Sequence, residues 1–411
     1  MKHCYLILFV WSMAAWAGIV PAVATEPLKD YSFVRGVCYG LEDRQDILER
    51  DLGYARKLRL NSTRIWLDFN SYRRDPEAYV KKLLNYVRTA HKMGISTMPI
   101  LFNGNMMDPA ILDEKFRAEG DAYVKAVVGA LKDEPGLFIW DIMNEPTCND
   151  YCGQAPAAER EARHDKVWGF VRHYCRLVKE LDGKNAITVG VTVAQNLERT
   201  ADLVDVLCFH DYSDTRSRVQ ASYDVARQVS EKYGKPVINS ETGCPGRANS
   251  YDMAIELCEK NGAGWYLFNL MIGGYWGDIH GIVYPDGTVR DPSVVAALFG
   301  FYRNRDEAAL VRPNPNKEGK VEAALRQLQR AMKDDYTAFR SKRSSSERLL
   351  DAMEVCANLL EGSEMVPMQV PPTARIRMWR AQDEKERDIV EIRTYAYEMA
   401  RMLEEGCQII F

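Results

Sequence analysis

A (β/α)8 barrel, the TIM-barrel class of α/β fold, is predicted by three features of the sequence. Eight short apolar runs occur between residues 33 and 271, and segments with helical periodicity separate them. Strands that alternate with helices over about 270 residues are typical of this fold in size and rhythm. A doubly wound open sheet is the alternative. The barrel is favoured because there are eight units and because no Gly-rich phosphate loop follows the first run.

The eight predicted strands are short and apolar, and polar turn residues bound them. In chain order they are FVRGVCYG (33–40), STRIWLDF (62–69), STMPILFN (96–103), LFIWDIMN (137–144), AITVGVTV (186–193), VDVLCFHD (204–211), PVINSE (236–241) and GWYLFNLM (264–271). Helix-period stretches lie between them, such as 76–94, where apolar residues from Tyr79 to Ala90 share one face and Gly94 ends the pattern.

The N-terminus has the pattern of an export signal. A basic start precedes an apolar run over residues 5–20, and the Ala-Val-Ala sequence at 22–24 fits a signal-peptidase site. We therefore expect a signal peptide over residues 1–24 and a secreted or periplasmic protein. A retained N-terminal anchor is the alternative, but the run is short for a membrane span and ends at Pro21.

The composition changes beyond about residue 305. From the RPNPNK segment (312–317) to the end only three Gly occur, and apolar residues recur every three or four positions over 321–332, 349–360 and 389–403. We predict an α-helical C-terminal extension of three or four helices over 306–411, after a barrel over 25–305. Packing on the barrel, oligomerisation and binding of a partner are its open roles. The barrel lacks nothing obvious without it.

Overall composition is that of an ordinary globular protein, 46% hydrophobic and 27% charged, with a formal net charge of −4. This near-neutral balance argues against a general nucleic-acid binder, whose surface would be basic. No apolar run in the middle of the chain reaches membrane-spanning length.

Ten cysteines are present, and removal of the signal would leave nine. Cys148 and Cys152 lie close together after the fourth strand and are candidates for a disulfide in an oxidising compartment. Pairings that involve Cys175, Cys244 or Cys258 are equally open. A metal site is disfavoured because no second Cys or His pair follows at zinc spacing.

Polar residues gather at the C-terminal ends of the predicted strands, where barrels of this class carry their active sites. They are Arg64 in strand 2, Asn103 at strand 3, Asn144 and Glu145 at strand 4, His210 and Tyr212 at strand 6, Glu241 at strand 7, and Trp265 and Asn269 in strand 8. A ring with two carboxylates, an arginine, a histidine and aromatic residues is hard to explain by stability alone.

Glu145 and Glu241, three strands apart, are predicted to face each other across the barrel mouth. Acetal hydrolysis needs such a pair: a protonated acid for the leaving oxygen, and an anion that attacks or activates water. Arg64, if it reaches Glu241, would keep that carboxylate ionised as the nucleophile, and Tyr212 could donate a hydrogen bond to it. Glu145 has no fixed cation nearby in the sequence and is the better acid/base. Asn144 would then bond a sugar 2-hydroxyl.

The remaining candidates are less specific. Asn103 is equally compatible with a sugar contact and with a loop cap. Trp66 and Trp265 are compatible with core packing and with a sugar platform, because the two kinds of aromatic look alike in sequence. Trp276 lies in a Gly-rich segment beyond strand 8 and is the better candidate for stacking on a sugar. Asp141 is expected to be structural.

The segments WDIMNEP, INSETG and FHDY, in this chain, together resemble the clan A glycoside hydrolases, particularly the cellulase-like family 5. The resemblance covers roughly residues 31–300 and implies a retaining (β/α)8 hydrolase. It assigns the acid/base role to Glu145 and the nucleophile role to Glu241. By the same resemblance Arg64 matches the strand 2 arginine, Asn144 the asparagine before the acid/base, and His210 and Tyr212 the strand 6 pair.

Three departures from the family pattern affect specificity more than reaction class. Strand 8 often ends in a tryptophan that stacks on the sugar, whereas here Trp265 begins the strand and Phe268 and Asn269 follow within it. Strand 3 ends in LFNGN, without the histidine that some members carry. The C-terminal helices have no counterpart in the family.

The sequence thus predicts a retaining β-glycoside hydrolase that acts on β-linked glycosides, oligosaccharides or polysaccharides through a covalent glycosyl-enzyme intermediate. We expect no cofactor, no catalytic metal, no nucleic-acid partner and no membrane span after signal cleavage; the expected partner is a carbohydrate substrate. Oligomerisation through the C-terminal helices is open. The alternatives are a transglycosylase, a catalytically inactive carbohydrate-binding barrel, and a barrel that docks a partner on a helical scaffold.

Overall fold

The structure is a computed structural model that describes residues 27–105, 107–300, 319–340, 345–361 and 371–409. The expected signal peptide (1–24) and the expected domain boundary at residue 305 lie outside these ranges. Within them, none of the helices combines the length and the apolar character that crossing a membrane requires.

Nine strands pair in parallel in one sheet, in the order β5-β4-β3-β2-β1-β9-β8-β7-β6. They are β1 (Arg35–Tyr39), β2 (Ser62–Trp66), β3 (Ser96–Asn103), β4 (Ile139–Asn144), β5 (Ala186–Thr188), β6 (Gly190–Val191), β7 (Leu207–Asp211), β8 (Val237–Thr242) and β9 (Gly264–Leu267). The predicted strand 186–193 is interrupted at Val189, so that β5 pairs with β4 and β6 with β7. The eight predicted strands therefore form the predicted (β/α)8 barrel.

Ten helices accompany the barrel strands among the described residues up to 300. They are α1 (Gln45–Lys57), α2 (Phe69–Arg74), α3 (Pro76–Lys92), α4 (Glu114–Leu131), α5 (Asp150–Gly153), α6 (Arg160–Leu181), α7 (Arg216–Tyr233), α8 (Tyr251–Lys260), α9 (Gly274–His280) and α10 (Pro292–Leu298). The α3 helix shows how the sequence sets its bounds: Asp75 caps the Ala78 N–H, Pro76 begins the helix, and Gly94 follows it with a φ of 76°. Its predicted apolar face is buried.

A small apolar cluster fills the barrel below its mouth. Cys38, Met98, Cys208 and Ile238 belong to it, each from a different strand. The chain neighbours of Cys38 and Cys208 belong to the larger core that contains the helices, because successive side chains of a strand point to opposite faces of the sheet. This small apolar cluster closes the barrel from below, so that the carboxyl ends of the strands form the floor of a site.

Four helices follow the barrel, as the sequence predicts. They are α11 (Lys320–Arg340), α12 (Glu347–Glu361), α13 (Pro372–Ala381) and α14 (Ile389–Ile409). They pack around a core of their own, in which Leu328, Met353, Ile376 and Ile392 are fully buried. We call these four helices the C-terminal bundle.

The C-terminal bundle is docked on the barrel through ion pairs at two places. Lys333 of α11 lies 2.6 Å from Asp214, in the loop after β7. Arg401 of α14 lies 2.5 Å from Asp291, which caps α10. The first contact brings α11 beside the mouth of the barrel.

The candidate disulfide between Cys148 and Cys152 is not formed, since every cysteine whose side chain the structure describes is a free thiol. The two side chains have different surroundings. Cys148 lines the cleft described below and hydrogen bonds to Glu145, whereas Cys152 is buried in the main apolar core. Cys175, Cys244 and Cys258 are likewise buried and free.

Candidate active site

Arg64, the third residue of β2, lies under the barrel mouth and is completely buried. Its Nε and Nη2 donate to Asp141 Oδ2 at 2.9 and 2.8 Å, and its Nη1 donates to Glu241 Oε1 at 2.6 Å. Burial alone would lower the pKa of Arg64, but the two carboxylates outweigh it and raise that pKa well above its ordinary value. The predicted contact with Glu241 is confirmed, and Asp141 has the structural contact expected of it.

A glycine makes room for this ion pair. Gly190 begins β6, and its N–H donates to Asp141 Oδ1 at 3.0 Å. A Cβ atom at residue 190 would lie 2.6 Å from Arg64 Nη2 and 2.9 Å from Asp141 Oδ2. The approach of the backbone to the buried charges therefore requires glycine.

Glu241 in β8 has a donor on each oxygen. Arg64 bonds Oε1, and the Tyr212 hydroxyl donates to Oε2 at 2.9 Å, as the sequence predicts. Burial and the nearby charge of Glu241 raise the pKa of Tyr212 well above its ordinary 10.0, so Tyr212 keeps the proton that it donates. These two donors fix the orientation of the Glu241 carboxylate.

Glu145 follows β4 directly and has a φ of 44°, which is uncommon for a residue other than glycine. Its N–H donates to Gly190 O at 2.8 Å, which holds this backbone in place. On the side chain, Oε1 lies 3.0 Å from His210 Nδ1, and Asn105 Nδ2 donates to Oε2 at 3.3 Å. The strained backbone thus presents the carboxylate to the barrel mouth.

The charge environment of Glu145 differs from the expectation that it has no cation nearby. Burial would raise the pKa of Glu145, but the hydrogen bond and charge of His210, with smaller effects of Cys148 and Arg64, place it below the ordinary 4.5. His210 belongs to β7 and is remote in sequence, so the contact arises only from the closure of the barrel.

Glu145, His210 and Glu241 converge, with one ligand-type atom of each within 4.8 Å of the others. Among the described residues they are the one group of this kind that could hold a metal ion. The guanidinium of Arg64, 2.6 Å from Glu241, opposes a cation there. The arrangement suits two carboxylates that act on one bond from opposite sides.

The carboxylates open into a cleft of about 690 Å³. Most predicted site residues line it: Asn103, Asn144, Glu145, Tyr212, Glu241, Asn269 and Trp276. Asn144 and Asn103 are bonded to each other at 2.9 Å, and Asn144 Oδ1 also accepts from Arg64. Asn144, which is predicted to bond a sugar hydroxyl, is therefore already held in its orientation by Asn103 and Arg64.

Three predicted sugar contacts have other positions. Trp265 is fully buried in the core between sheet and helices, because its place in β9 turns it away from the barrel axis. Arg64 has no exposed surface and lies beneath the carboxylates. His210 lies outside the main cleft and lines a side pocket beside Glu145. The first two are not available to a sugar.

Sequence reasoning named Trp276 and left Trp66 open between core packing and a sugar platform, but it did not assign Phe268 or Tyr336 to the walls of the cleft. Trp66 and Phe268 meet edge to face with ring centres 5.5 Å apart, and both line the cleft. The ring centre of Trp276, which also lines the cleft, lies 6.2 Å from that of Tyr336, a residue of α11. Phe268 was visible in strand 8, whereas nothing in the sequence relates Tyr336 to the barrel.

The barrel is not complete without its extension, contrary to the expectation from sequence. Lys333, Tyr336 and Thr337 of α11 line the cleft together with the two glutamates. Arg247, in the loop after β8, lies 5.2 Å from the Tyr336 ring centre and 4.8 Å from that of Tyr212. The C-terminal bundle therefore forms part of the wall that faces a ligand.

Comparison with known proteins supports this picture of the barrel. The sequence model described as cellulase (glycosyl hydrolase family 5) matches residues 55–274, more than half of the chain. A mannan endo-1,4-beta-mannosidase F of Aspergillus clavatus is 28% identical over 78 residues, 19% of this chain and 15% of its own. The chain thus spans a small fraction of the length of that relative.

Two solved structures share the fold. The endo-1,4-beta-mannanase of Rhizomucor miehei has a TM-score of 0.53 at 17% identity, covering 64% of this chain and 92% of its own. The exo-beta-1,4-mannosidase Op5Man5 of Opitutaceae bacterium strain TAV5 has a TM-score of 0.52 at 16% identity, covering 74% and 69%. At such identities the likeness concerns the fold.

The His210 contact predicts a shift in the titration of Glu145. Replacement of His210 by Phe removes both the hydrogen bond and the charge, so burial dominates and the pKa of Glu145 rises. The shift is measured by NMR titration of labelled glutamate carboxyls. His210→Asn, which keeps a nitrogen donor, is the matched control and should shift the pKa less. An unchanged pKa in His210→Phe would contradict the contact.

The position of Tyr336 predicts that the C-terminal bundle contributes to substrate binding. Tyr336→Ala removes a ring from the cleft and is expected to raise KM about tenfold, while Tyr336→Phe keeps the ring and stays near wild type. Steady-state kinetics on a cleaved glycoside measure both. Gln327→Ala, an exposed change on the same helix, is the control. Equal KM values for all three variants would exclude a binding role for this ring.

Proposed function

The chain belongs to the cellulase family, glycosyl hydrolase family 5, and from this membership and the geometry of the site we propose that it is a retaining β-glycoside hydrolase. The observation that carries the proposal is the pair of carboxylates, whose nearest oxygens lie within 4.8 Å of each other across the cleft. Glu241 is the nucleophile and Glu145 the acid/base.

Their spacing favours retention of configuration. Retaining glycosidases hold their carboxyl groups about 5–5.5 Å apart, whereas inverting enzymes need about 6.5–9.5 Å to seat a water between one carboxylate and the sugar. The bound of 4.8 Å between carboxylate oxygens of Glu145 and Glu241 fits the shorter of these two spacings.

In the first step an oxygen of Glu241 attacks the anomeric carbon while Glu145 gives its proton to the leaving glycosidic oxygen. An ester between Glu241 and the sugar results. In the second step Glu145, now a carboxylate, takes a proton from water, and the hydroxide oxygen displaces Glu241. Arg64 and Tyr212, already bonded to Glu241, stabilise it as the departing anion.

We propose that substrate binding helps to protonate Glu145, whose pKa lies below its ordinary value in the free protein. A sugar that fills the cleft displaces the water that solvates the Glu145 carboxylate, and desolvation raises the pKa of a carboxyl group. Burial already acts in that direction, against His210. Binding and acquisition of the catalytic proton are therefore coupled.

We propose β-1,4-linked mannans as the first substrates to test. The support is the set of relatives: the Aspergillus clavatus relative is named as an endo-acting mannosidase that cleaves mannan. The aromatic rings that line the cleft, Trp66, Phe268 and Trp276, suit the apolar faces of a sugar chain.

We also propose that the protein is exported, with residues 1–24 removed as a signal peptide, and that 25–305 and 306–411 are its catalytic domain and helical extension. Polysaccharides lie outside the cell, so an exported hydrolase meets its substrate. The separate apolar cores of barrel and C-terminal bundle support the division.

Replacement of each glutamate tests the catalytic assignment. Glu145→Ala should lower kcat/KM by about 10²–10⁴-fold on substrates with poor leaving groups, and much less on dinitrophenyl glycosides, which need no proton. Glu241→Ala should lose activity on both. A 2-deoxy-2-fluoro glycoside should esterify Glu241 in the wild type, as detected by peptide mass spectrometry.

The control for these variants is Glu119→Ala, an exposed glutamate on α4 that should keep full activity. NMR of the first product should show the β-anomer. Full activity in either catalytic variant, or an initial α-anomer, would refute the assignment.

The substrate class is tested with linear mannan, glucomannan, cellulose and xylan, with Glu241→Ala as the blank. We expect mannan or glucomannan to release reducing ends fastest. Preferential cleavage of cellulose or xylan would reject mannan while leaving the reaction type intact. Products longer than the substrate at high sugar concentration would indicate transglycosylation instead.

A further inference from the structure

A side pocket of about 230 Å³ opens beside Glu145, about a third of the volume of the main cleft. Glu145, Thr192, Tyr212, Arg247 and Lys333 line both spaces and form the junction between them. The pocket is thus a branch of the active site on the side of the acid/base. Its volume suits a single sugar unit and not a chain.

Arg247 at this junction carries a charge without an anionic partner. It is half-buried, and among the described residues its guanidinium meets two aromatic rings, Tyr212 at 4.8 Å and Tyr336 at 5.2 Å, but no carboxylate within ion-pair distance and no hydrogen-bond acceptor. Cation–π contacts leave the five N–H donors of a guanidinium free to bond something else. The donors are accessible from both the cleft and the side pocket.

The other cations of the pocket share one carboxylate. Arg218 and Lys333 bind the two oxygens of Asp214 at 3.0 and 2.6 Å. Asp211 also lines the pocket and is bonded by Ser213, and burial raises the pKa of Asp211. When Glu145 holds its catalytic proton, three cations face two carboxylates, which leaves an excess positive charge.

A half-buried, unpaired guanidinium beside a site that binds sugars is best satisfied by a carboxylate, which matches its planar fork with two parallel hydrogen bonds. From this juxtaposition we propose that the side pocket binds a hexuronic acid unit, with its carboxylate on Arg247. The inference rests on the proposed function, since the pocket opens beside the acid/base. It adds an acidic sugar, as a branch or terminal unit, to the substrate class.

Direct binding of monosaccharides tests the proposal, because free sugars are not hydrolysed. Calorimetry on the full chain would compare D-glucuronate, D-galacturonate and D-mannuronate with D-glucose, D-galactose and D-mannose. We expect at least one hexuronate to bind about tenfold or more tightly than its neutral counterpart, with the preference reduced by added salt. Equal affinity for every acid and its neutral counterpart would overturn the proposal.

Two variants locate the binding site. Arg247→Gln should abolish the hexuronate preference, and Arg247→Lys, which keeps the charge but not the fork, should retain only part of it. Arg227→Gln, which changes an exposed arginine paired with Asp224, is the matched control and should retain all of it. A full preference in folded Arg247→Lys and in Arg247→Gln would overturn the assignment to Arg247.

Two further measurements distinguish a hexuronate site from a site for sulfated sugars, and the side-pocket proposal from the hydrolase proposal. D-Glucose 6-sulfate distinguishes a sulfated sugar from an acidic one: if it binds tightly and no hexuronate does, the proposed ligand is wrong. Hydrolysis of neutral glycosides without hexuronate binding would overturn the side-pocket proposal alone. Hexuronate binding without hydrolysis of any glycoside would overturn the hydrolase proposal alone.

Discussion

The buried guanidinium of Arg64 is the interaction on which the active site depends. Removal of a charge from water costs several kcal/mol even after relaxation, so a fully buried arginine is stable only with carboxylates around it. Asp141 and Glu241 supply them, from β4 and β8 on either side of β2. The same contacts orient the proposed nucleophile, because a turn of Glu241 would leave the buried Nη1 of Arg64 without its carboxylate. The ion pairs that stabilise the buried charge of Arg64 thus also preorganise Glu241.

The two glutamates differ through their partners. Glu241 is held by a permanent cation and a phenol that keeps its proton, whereas Glu145 is held by an imidazole and an amide, whose support is weaker and adjustable. Nδ1 of His210 lies 3.0 Å from a carboxylate oxygen of Glu145 and 3.5 Å from one of Glu241, so the imidazole interacts electrostatically with both. Protonation of Glu145 during a catalytic cycle therefore changes the electrostatic potential at Glu241. The different neighbours of the two glutamates thus give two chemically identical carboxyl groups different roles.

Sequence reasoning reached what depends on local pattern and stopped where contacts join distant segments. Strand alternation and strand ends were enough to predict the barrel and the convergence of Glu145 with Glu241. The helical spacing of apolar residues was enough to predict a C-terminal extension of three or four helices. The sugar contact predicted for Trp265 is wrong because side chains alternate between the two faces of a strand. Trp265 lies on the face that packs against the helices, whereas Phe268, three positions further on, lines the cleft. Contacts of His210 with Glu145, and of Arg247 with Tyr336, join elements whose spacing along the chain carries no periodic signal.

The contacts that dock the C-terminal bundle on the barrel also form part of the cleft. Lys333 of α11 binds Asp214 of the barrel and also lines the cleft, so the residue that docks the helix contributes to the wall of the site. Tyr336 lies beside Trp276 and Arg247, which belong to the barrel half of the chain, and lines the cleft with them. A ligand in this cleft touches both halves, and any ligand that binds only the docked arrangement stabilises it by mass action. The extension therefore belongs to the active site in space, because the barrel alone gives a cleft without Lys333, Tyr336 and Thr337.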